Sequence, residues 1–118
     1  MRELTFDLDH TGDVVVARID GEIDSSNVAE IGRRLRETLT NQSMALVVDL
    51  AFTSYLDSAG INLLFALGAE LRKRQQRLHL CVPAASPIAR MLAITGIESA
   101  MTVHDTRDAA VAAASRGA

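Results

Sequence analysis

Cysteine occurs once in the 118-residue chain, at Cys81, which excludes an internal disulfide and any cysteine-based metal cluster. Its setting, Leu78-His79-Leu80-Cys81-Val82, reads as a buried strand thiol. Proline occurs only at Pro83 and Pro87, the first closing a strand and the second standing at the first position of a helix capped by Ser86. No apolar run approaches the length of a membrane span. Met1, Arg2 and Glu3 lead straight into an alternating segment, without the apolar stretch of roughly 7–15 residues that a secretory signal needs. A cytoplasmic protein that does not insert into a membrane is expected. Basic charge is not in excess either: 12 Lys and Arg stand against 15 Asp and Glu, for a net charge of -3. Nucleic acid, which calls for a net basic face, is not an expected partner.

With 48% apolar and 23% charged residues, the composition is that of a globular protein, and the length fits one domain over 1–118. Leu4-Thr5-Phe6-Asp7-Leu8-Asp9 alternates apolar and polar, His10-Thr11-Gly12-Asp13 supplies a turn, and Val14-Val15-Val16-Ala17-Arg18-Ile19 is rich in β-branched residues, so a hairpin opens the chain. Gly21-Glu22-Ile23-Asp24-Ser25-Ser26 breaks the strand and offers caps. Val28, Ile31, Leu35 and Leu39 then recur at helical spacing, predicting a helix that ends near Asn41. Residues 44–50 form an almost unbroken apolar run, a strand in the sheet centre. Residues 51–56 read as its connection to a second helix.

Residues 78–82 are the next strand. A short third helix turns Ile88, Met91 and Leu92 inward and stops at Gly96. Residues 100–104 form a short last strand, and Asp105-Thr106 caps an alanine-rich helix through Ser115. The fold class is α/β, with a mixed sheet of four to five strands and about four amphipathic helices.

The second helix, 61–74, carries two faces. Gly60, Leu63, Leu64, Leu67 and Leu71 make a core stripe, while Ser58, Ile61, Asn62 and Phe65 fall on nearly the opposite side. Asp57 is the expected N-cap and Ser58 the first helical residue. A hydroxyl there is open to a kinase, and a phosphate on it would sit where free backbone N–H groups favour an anion. Ile61 and Phe65 beside it read as a docking patch.

A nucleophilic role for Ser58 finds little support. His10, His79 and His104 show no base signature, their spacing matches no metal motif, and no G-x-S-x-G elbow is present. Neither an enzyme nor a catalytic or metal site is expected, nor any cofactor. Gly32, Gly60 and Gly68 do not make a phosphate-cradling loop. Arg72, Lys73, Arg74 and Arg77 read as cations at a helix C-terminus.

Gly21-Glu22-Ile23-Asp24, Val47-Val48-Asp49-Leu50 and Tyr55-Leu56-Asp57-Ser58-Ala59-Gly60 stand in the order and spacing of the STAS domain, and the chain resembles its anti-sigma factor antagonists over essentially its whole length. The resemblance implies partner switching. The unphosphorylated antagonist binds an anti-sigma factor that is also a serine kinase, a sigma factor is released, phosphorylation reverses this, and a PP2C-type phosphatase restores the active form. By position, Ser58 matches the phosphoacceptor, Asp57 the acidic residue before it, Gly60 the motif glycine, and Asp24 the aspartate of the neighbouring loop. The partner surface so implied is Asp24, Asp57, Ser58, Ile61, Asn62 and Phe65. Ala59 departs from the many relatives that carry a second serine there. The same fold also serves as a non-phosphorylated adaptor subunit of lipid or anion transport complexes, which stands as the alternative. Weak homodimerisation is left open.

Overall fold

In the computed structural model, which describes residues 4–116, strand β1 (Thr5–Thr11) turns at Gly12 and Asp13 into strand β2 (Val14–Ile23), with Thr11 opposite Val14 and Thr5 opposite Asp20. The lead-in at Met1, Arg2 and Glu3 and the outer ends of the expected domain lie outside the described residues.

β2 does not stop at Gly21, as the sequence pattern implied. Gly21 instead takes φ 129°, a conformation L side chains rarely adopt, and the strand changes neighbours there. Residues 14–18 pair in parallel with β3 (Ala45–Asp49), and residues 21–23 pair in parallel with β4 (Thr53–Leu56). Pairing steps from Gly21 and Thr53 to Glu22 and Tyr55, so β4 carries one extra residue, a bulge that re-aims the chain toward the helix that follows. β4 lies within residues 51–56, expected to be a plain connection. Four residues with only the two ends buried are too few to show a strand's alternation.

The sheet has six strands in the order β1-β2-β3-β5-β6, with β4 attached to β2; β5 is Arg77–Cys81 and β6 is Thr102–His104. The helices are α1 (Val28–Glu37), α2 (Ser58–Lys73), α3 (Ala89–Thr95) and α4 (Arg107–Ser115). α1 ends before the expected Asn41, with Leu39 still buried in the segment that follows. α3 begins at Ala89 rather than at Pro87, because residues 86–88 form a turn in which the Ser86 hydroxyl accepts from the Ile88 N–H at 3.3 Å. It stops at Gly96 in the left-handed region. Thr106 caps α4 by accepting from Ala109 N–H.

Alternation along the strands divides the core in two. Val15, Ala17 and Ile19 with Leu46, Val48, Leu78 and Leu80 face α1, α2 and α3. Val14, Val16, Ala45, Val47 and Cys81 face Ala110 and Ala114 of α4. α2 places Leu64, Leu67 and Leu71 in the first layer, each burial contributing roughly 1.5–3 kcal/mol. On the second face α4 begins level with the middle of β1 and the end of β3, where Arg107 lies 3.6 Å from Asp9 and 3.6 Å from Asp49. No helix among the described residues is long and apolar enough to cross a membrane.

Candidate functional site

The bulge at β4 and the parallel pairing of Ile23 with Leu56 bring two turns together: the segment 24–27, which leads from β2 into α1, and the β4–α2 junction at Asp57. Asp57 N–H donates to the Ile23 carbonyl at 3.2 Å, extending the ladder one residue past β4. Its carboxylate then serves both turns. Oδ1 accepts from the N–H groups of Ala59 at 2.9 Å and Gly60 at 3.2 Å, capping α2, and Oδ2 accepts from the N–H of Ser25 at 3.1 Å. The expected cap is therefore present. The expectation of free donors at the start of α2 is corrected, because the N–H groups of Ala59 and Gly60 are already held by Asp57.

Segment 24–27 is tied internally as well. The Asp24 carboxylate accepts from the Ser26 N–H at 2.9 Å and from its hydroxyl. Those bonds hold the Asp24 carboxyl below the usual carboxylate range. The Asn27 side-chain oxygen accepts from Asp24 N–H at 3.0 Å while its amide donates to the Glu22 carbonyl at 2.8 Å. Asn27 thus closes the turn instead of capping α1 by its side chain. Asp24, Asp57 and Ser58 are brought together, and Ser58 is exposed at the first position of α2. Among the described residues none holds its hydroxyl by a hydrogen bond.

The rest of the expected surface divides. Asn62 is exposed, but Ile61 and Phe65 are half-buried and pack against the main core. Placing them opposite the core stripe was too simple. They share a flank with Gly68 and Arg72 at spacings of three and four residues. That flank turns toward the segment after α3, where a side chain at Gly68 would meet Met101 and Arg72 donates to the Ala100 carbonyl. Leu63, expected in the core stripe, is half-buried instead and lies against α1, where it would meet a side chain added at Gly32. Gly68 takes its place among the buried residues of α2.

Gly60 shows why the motif has a glycine there. A β-carbon at Gly60 would stand 2.3 Å from Leu56 Cδ1 and 3.0 Å from Ile23 Cγ2. The first turn of α2 packs directly on the ends of β2 and β4, which is what keeps Ser58 level with segment 24–27.

The histidines lie elsewhere. His10 is exposed on β1. His79, buried on β5, and His104 on β6 stack with ring centroids 5.2 Å apart and share a hydrogen bond of 3.0 Å between Nδ1 and Nε2. Burial lowers the His104 pKa. Cys81 beside them is buried, and desolvation with the nearby Asp49 raises its thiol to about 12, which keeps it protonated and unreactive. No group of three or more His, Cys, Asp or Glu among the described residues is arranged to hold a metal. Sequence reading overlooked two residues at the site. Ser25 is one, and a run of Asp24, Ser25, Ser26 and Asn27 was a signal for a hydrogen-bonded turn. Tyr55 is the other, an exposed aromatic three residues before Ser58.

The family model of the STAS domain matches residues 5–110. The anti-sigma-B factor antagonist of Listeria monocytogenes is 30% identical over 99 residues, covering 84% of this chain and 82% of that protein. Among solved structures, an anti-sigma factor antagonist from Mycobacterium paratuberculosis superposes with a TM-score of 0.85 at 23% identity, covering 96% of this chain and 95% of the other. The Bacillus cell fate determinant SpoIIAA in its phosphorylated form superposes with a TM-score of 0.66 at 23% identity, covering 92% of this chain and 98% of the other.

Proposed function

The chain belongs to the STAS domain family, and on that premise we infer that it is an anti-sigma factor antagonist of the cytoplasm. Unphosphorylated, it binds an anti-sigma factor that is also a serine kinase, and so frees a sigma factor. Phosphate on Ser58 ends the interaction, and a PP2C-type phosphatase restores it. The observation that carries this reading is the exposed, unbonded Ser58 hydroxyl at the start of α2, beside Asp57 and the segment that Asp57 holds. The names of the Listeria and Mycobacterium relatives and the phosphorylated state of SpoIIAA support it.

The geometry favours an electrostatic switch at the surface. A phosphoserine adds about -1.5 to -2 charges. At Ser58 it meets a helix start whose donors at Ala59 and Gly60 already serve Asp57, so little remains to bind it beyond the helix dipole. It stands beside the carboxylates of Asp57 and Asp24, and the low pKa of Asp24 keeps that group charged. The phosphate is therefore directed outward, into the space a partner occupies. There it repels acidic groups and displaces contacts made to a neutral hydroxyl.

The test is binding of the cognate anti-sigma factor to Ser58→Ala and Ser58→Asp. The alanine variant keeps the affinity of the unmodified protein, and the aspartate variant loses at least about tenfold, or roughly 1.4 kcal/mol. Unchanged tight binding by Ser58→Asp overturns the switch and leaves the family's adaptor role.

A further inference from the structure

The basic cluster at Arg72, Lys73, Arg74 and Arg77 has no part in the Ser58 switch. Cations that only complement a helix end turn back on its last carbonyls. Arg72 does otherwise, since its Nη1 donates at 2.7 Å to the Ala100 carbonyl, 28 positions away in the chain. It also borders a cleft of about 410 Å³, together with Arg77. The cleft lies between the last turns of α2, the starts of β5 and β6, and residues 98–101. Its volume admits a small organic molecule. From Ser58 to Arg72 the helix rises about 21 Å, at about 1.5 Å per residue. The cleft is therefore at the end of α2 remote from Ser58.

Two chemistries meet at its border. Arg33, Arg36 and Arg107 each have a carboxylate partner. Arg72 and Arg77 are exposed, and among the described residues neither has a carboxylate within ion-pair distance. Glu98 borders the cleft as well, exposed and without an ion pair among the described residues, so the border carries one net positive charge. Leu78 and Met101, both buried, and Val103, half-buried, supply apolar surface. Gly68 borders the cleft without a side chain, and a β-carbon there would already stand 3.2 Å from Met101 Cε.

We propose that this cleft is a binding site for a small organic monocarboxylate with a compact apolar body. The guanidinium groups of Arg72 and Arg77 take the carboxylate, which the planar arginine fork suits. The bond to Ala100 already holds Arg72 in place, so less freedom is lost when the acid binds. The apolar body lies on Leu78, Met101 and Val103, out of water. Charge selects a monoanion. One carboxylate balances the net positive charge, whereas a phosphate monoester brings a second negative charge beside Glu98, and like charges brought together oppose binding.

The test is a titration of the isotope-labelled full chain with phenylacetate, followed by amide shifts. 2-Phenylethanol serves as the neutral counterpart and phenyl phosphate as the dianion. Phenylacetate is expected to give saturable shifts centred on Gly68, Ser99 and Thr102, with a dissociation constant on the order of 1 mM for a ligand of this size. The alcohol is expected to bind at least about tenfold more weakly, and Arg72→Gln and Arg77→Gln each to lower the affinity for phenylacetate by at least about tenfold, the loss of a charge-assisted hydrogen bond. Arg77 is exposed and makes no side-chain bond among the described residues, so Arg77→Gln reads out the cleft even where Arg72→Gln loosens the contact with Ala100. Ser58→Asp is expected to leave the affinity unchanged, which separates this site from the switch. No saturable shift, shifts centred on other residues, equal affinity in Arg77→Gln, equal binding of the alcohol, or tighter binding of phenyl phosphate would each overturn the proposal.

Discussion

Asp57 and Ser25, 32 positions apart in the chain, are joined by a hydrogen bond of 3.1 Å from the Ser25 N–H to the Asp57 carboxylate. The same carboxylate caps α2 through Ala59 and Gly60. One side chain thus fixes the helix start that carries Ser58 and the turn that carries Asp24. A shorter side chain separates the two jobs. Asp57→Ser keeps a good N-cap and is expected to stay within about 0.5 kcal/mol of the parent, whereas Asp57→Ala loses the cap at a cost of about 1–2 kcal/mol. Urea denaturation measures both. Exchange of the Ser25 amide with deuterated water is expected to quicken in both variants, and an unchanged rate in Asp57→Ser contradicts the tether.

Gly60→Ala tests the close approach of α2 to the sheet. Alanine improves helix propensity by about 1 kcal/mol, but its β-carbon meets Leu56 at 2.3 Å inside a packed core, and overpacking costs about 1–3 kcal/mol. A net loss of stability is expected in denaturant melts. A gain would show that Leu56 moves aside freely.

A docking patch at Phe65, as the sequence alone reads, implies that Phe65→Ala leaves stability nearly intact. Because Phe65 is half-buried against the main core, the variant is now expected to lose about 1.5–2.5 kcal/mol, roughly half the cost of removing a fully buried ring. It is also expected to weaken partner binding. A stability loss above about 4 kcal/mol would place Phe65 wholly within the core and remove it from the surface.

The His79–His104 pair gives a pH dependence. Burial lowers the His104 pKa below its ordinary value of 6.5, so the unfolded chain takes up this proton before the folded chain does. Stability from this source is complete above about pH 6.5 and is lost as pH falls through the lowered folded value. The expected result is a declining midpoint of thermal unfolding between pH 7 and the onset of carboxylate titration near pH 5, which His104→Gln flattens. An identical slope in that variant would assign the decline to other groups.

What could be read from residues alone followed the strength of the local signal. α2 was legible because Leu64, Leu67 and Leu71 repeat at helical spacing over about two turns and Asp57 stands directly before the helix. β3 was legible because five consecutive positions are buried on both faces. β4 was not, since its pairing depends on a bulge and on where β2 changes partner at Gly21, both tertiary events. The glycine was noticed but taken for an end. At the site, the cap at Asp57 was local and visible, while the bond to Ser25 required two turns distant in sequence to meet. Ile61 and Phe65 were misplaced because helical spacing gives an angle around α2 and says nothing about which neighbours fill that angle.

The most direct measurement of the central claim is intact mass and peptide mapping of the protein after incubation with ATP and its cognate anti-sigma factor kinase. One phosphate, on Ser58, with loss of the kinase complex, is the result predicted. An unmodified Ser58, or a Ser58-phosphorylated protein that binds the kinase as tightly as before, would contradict it.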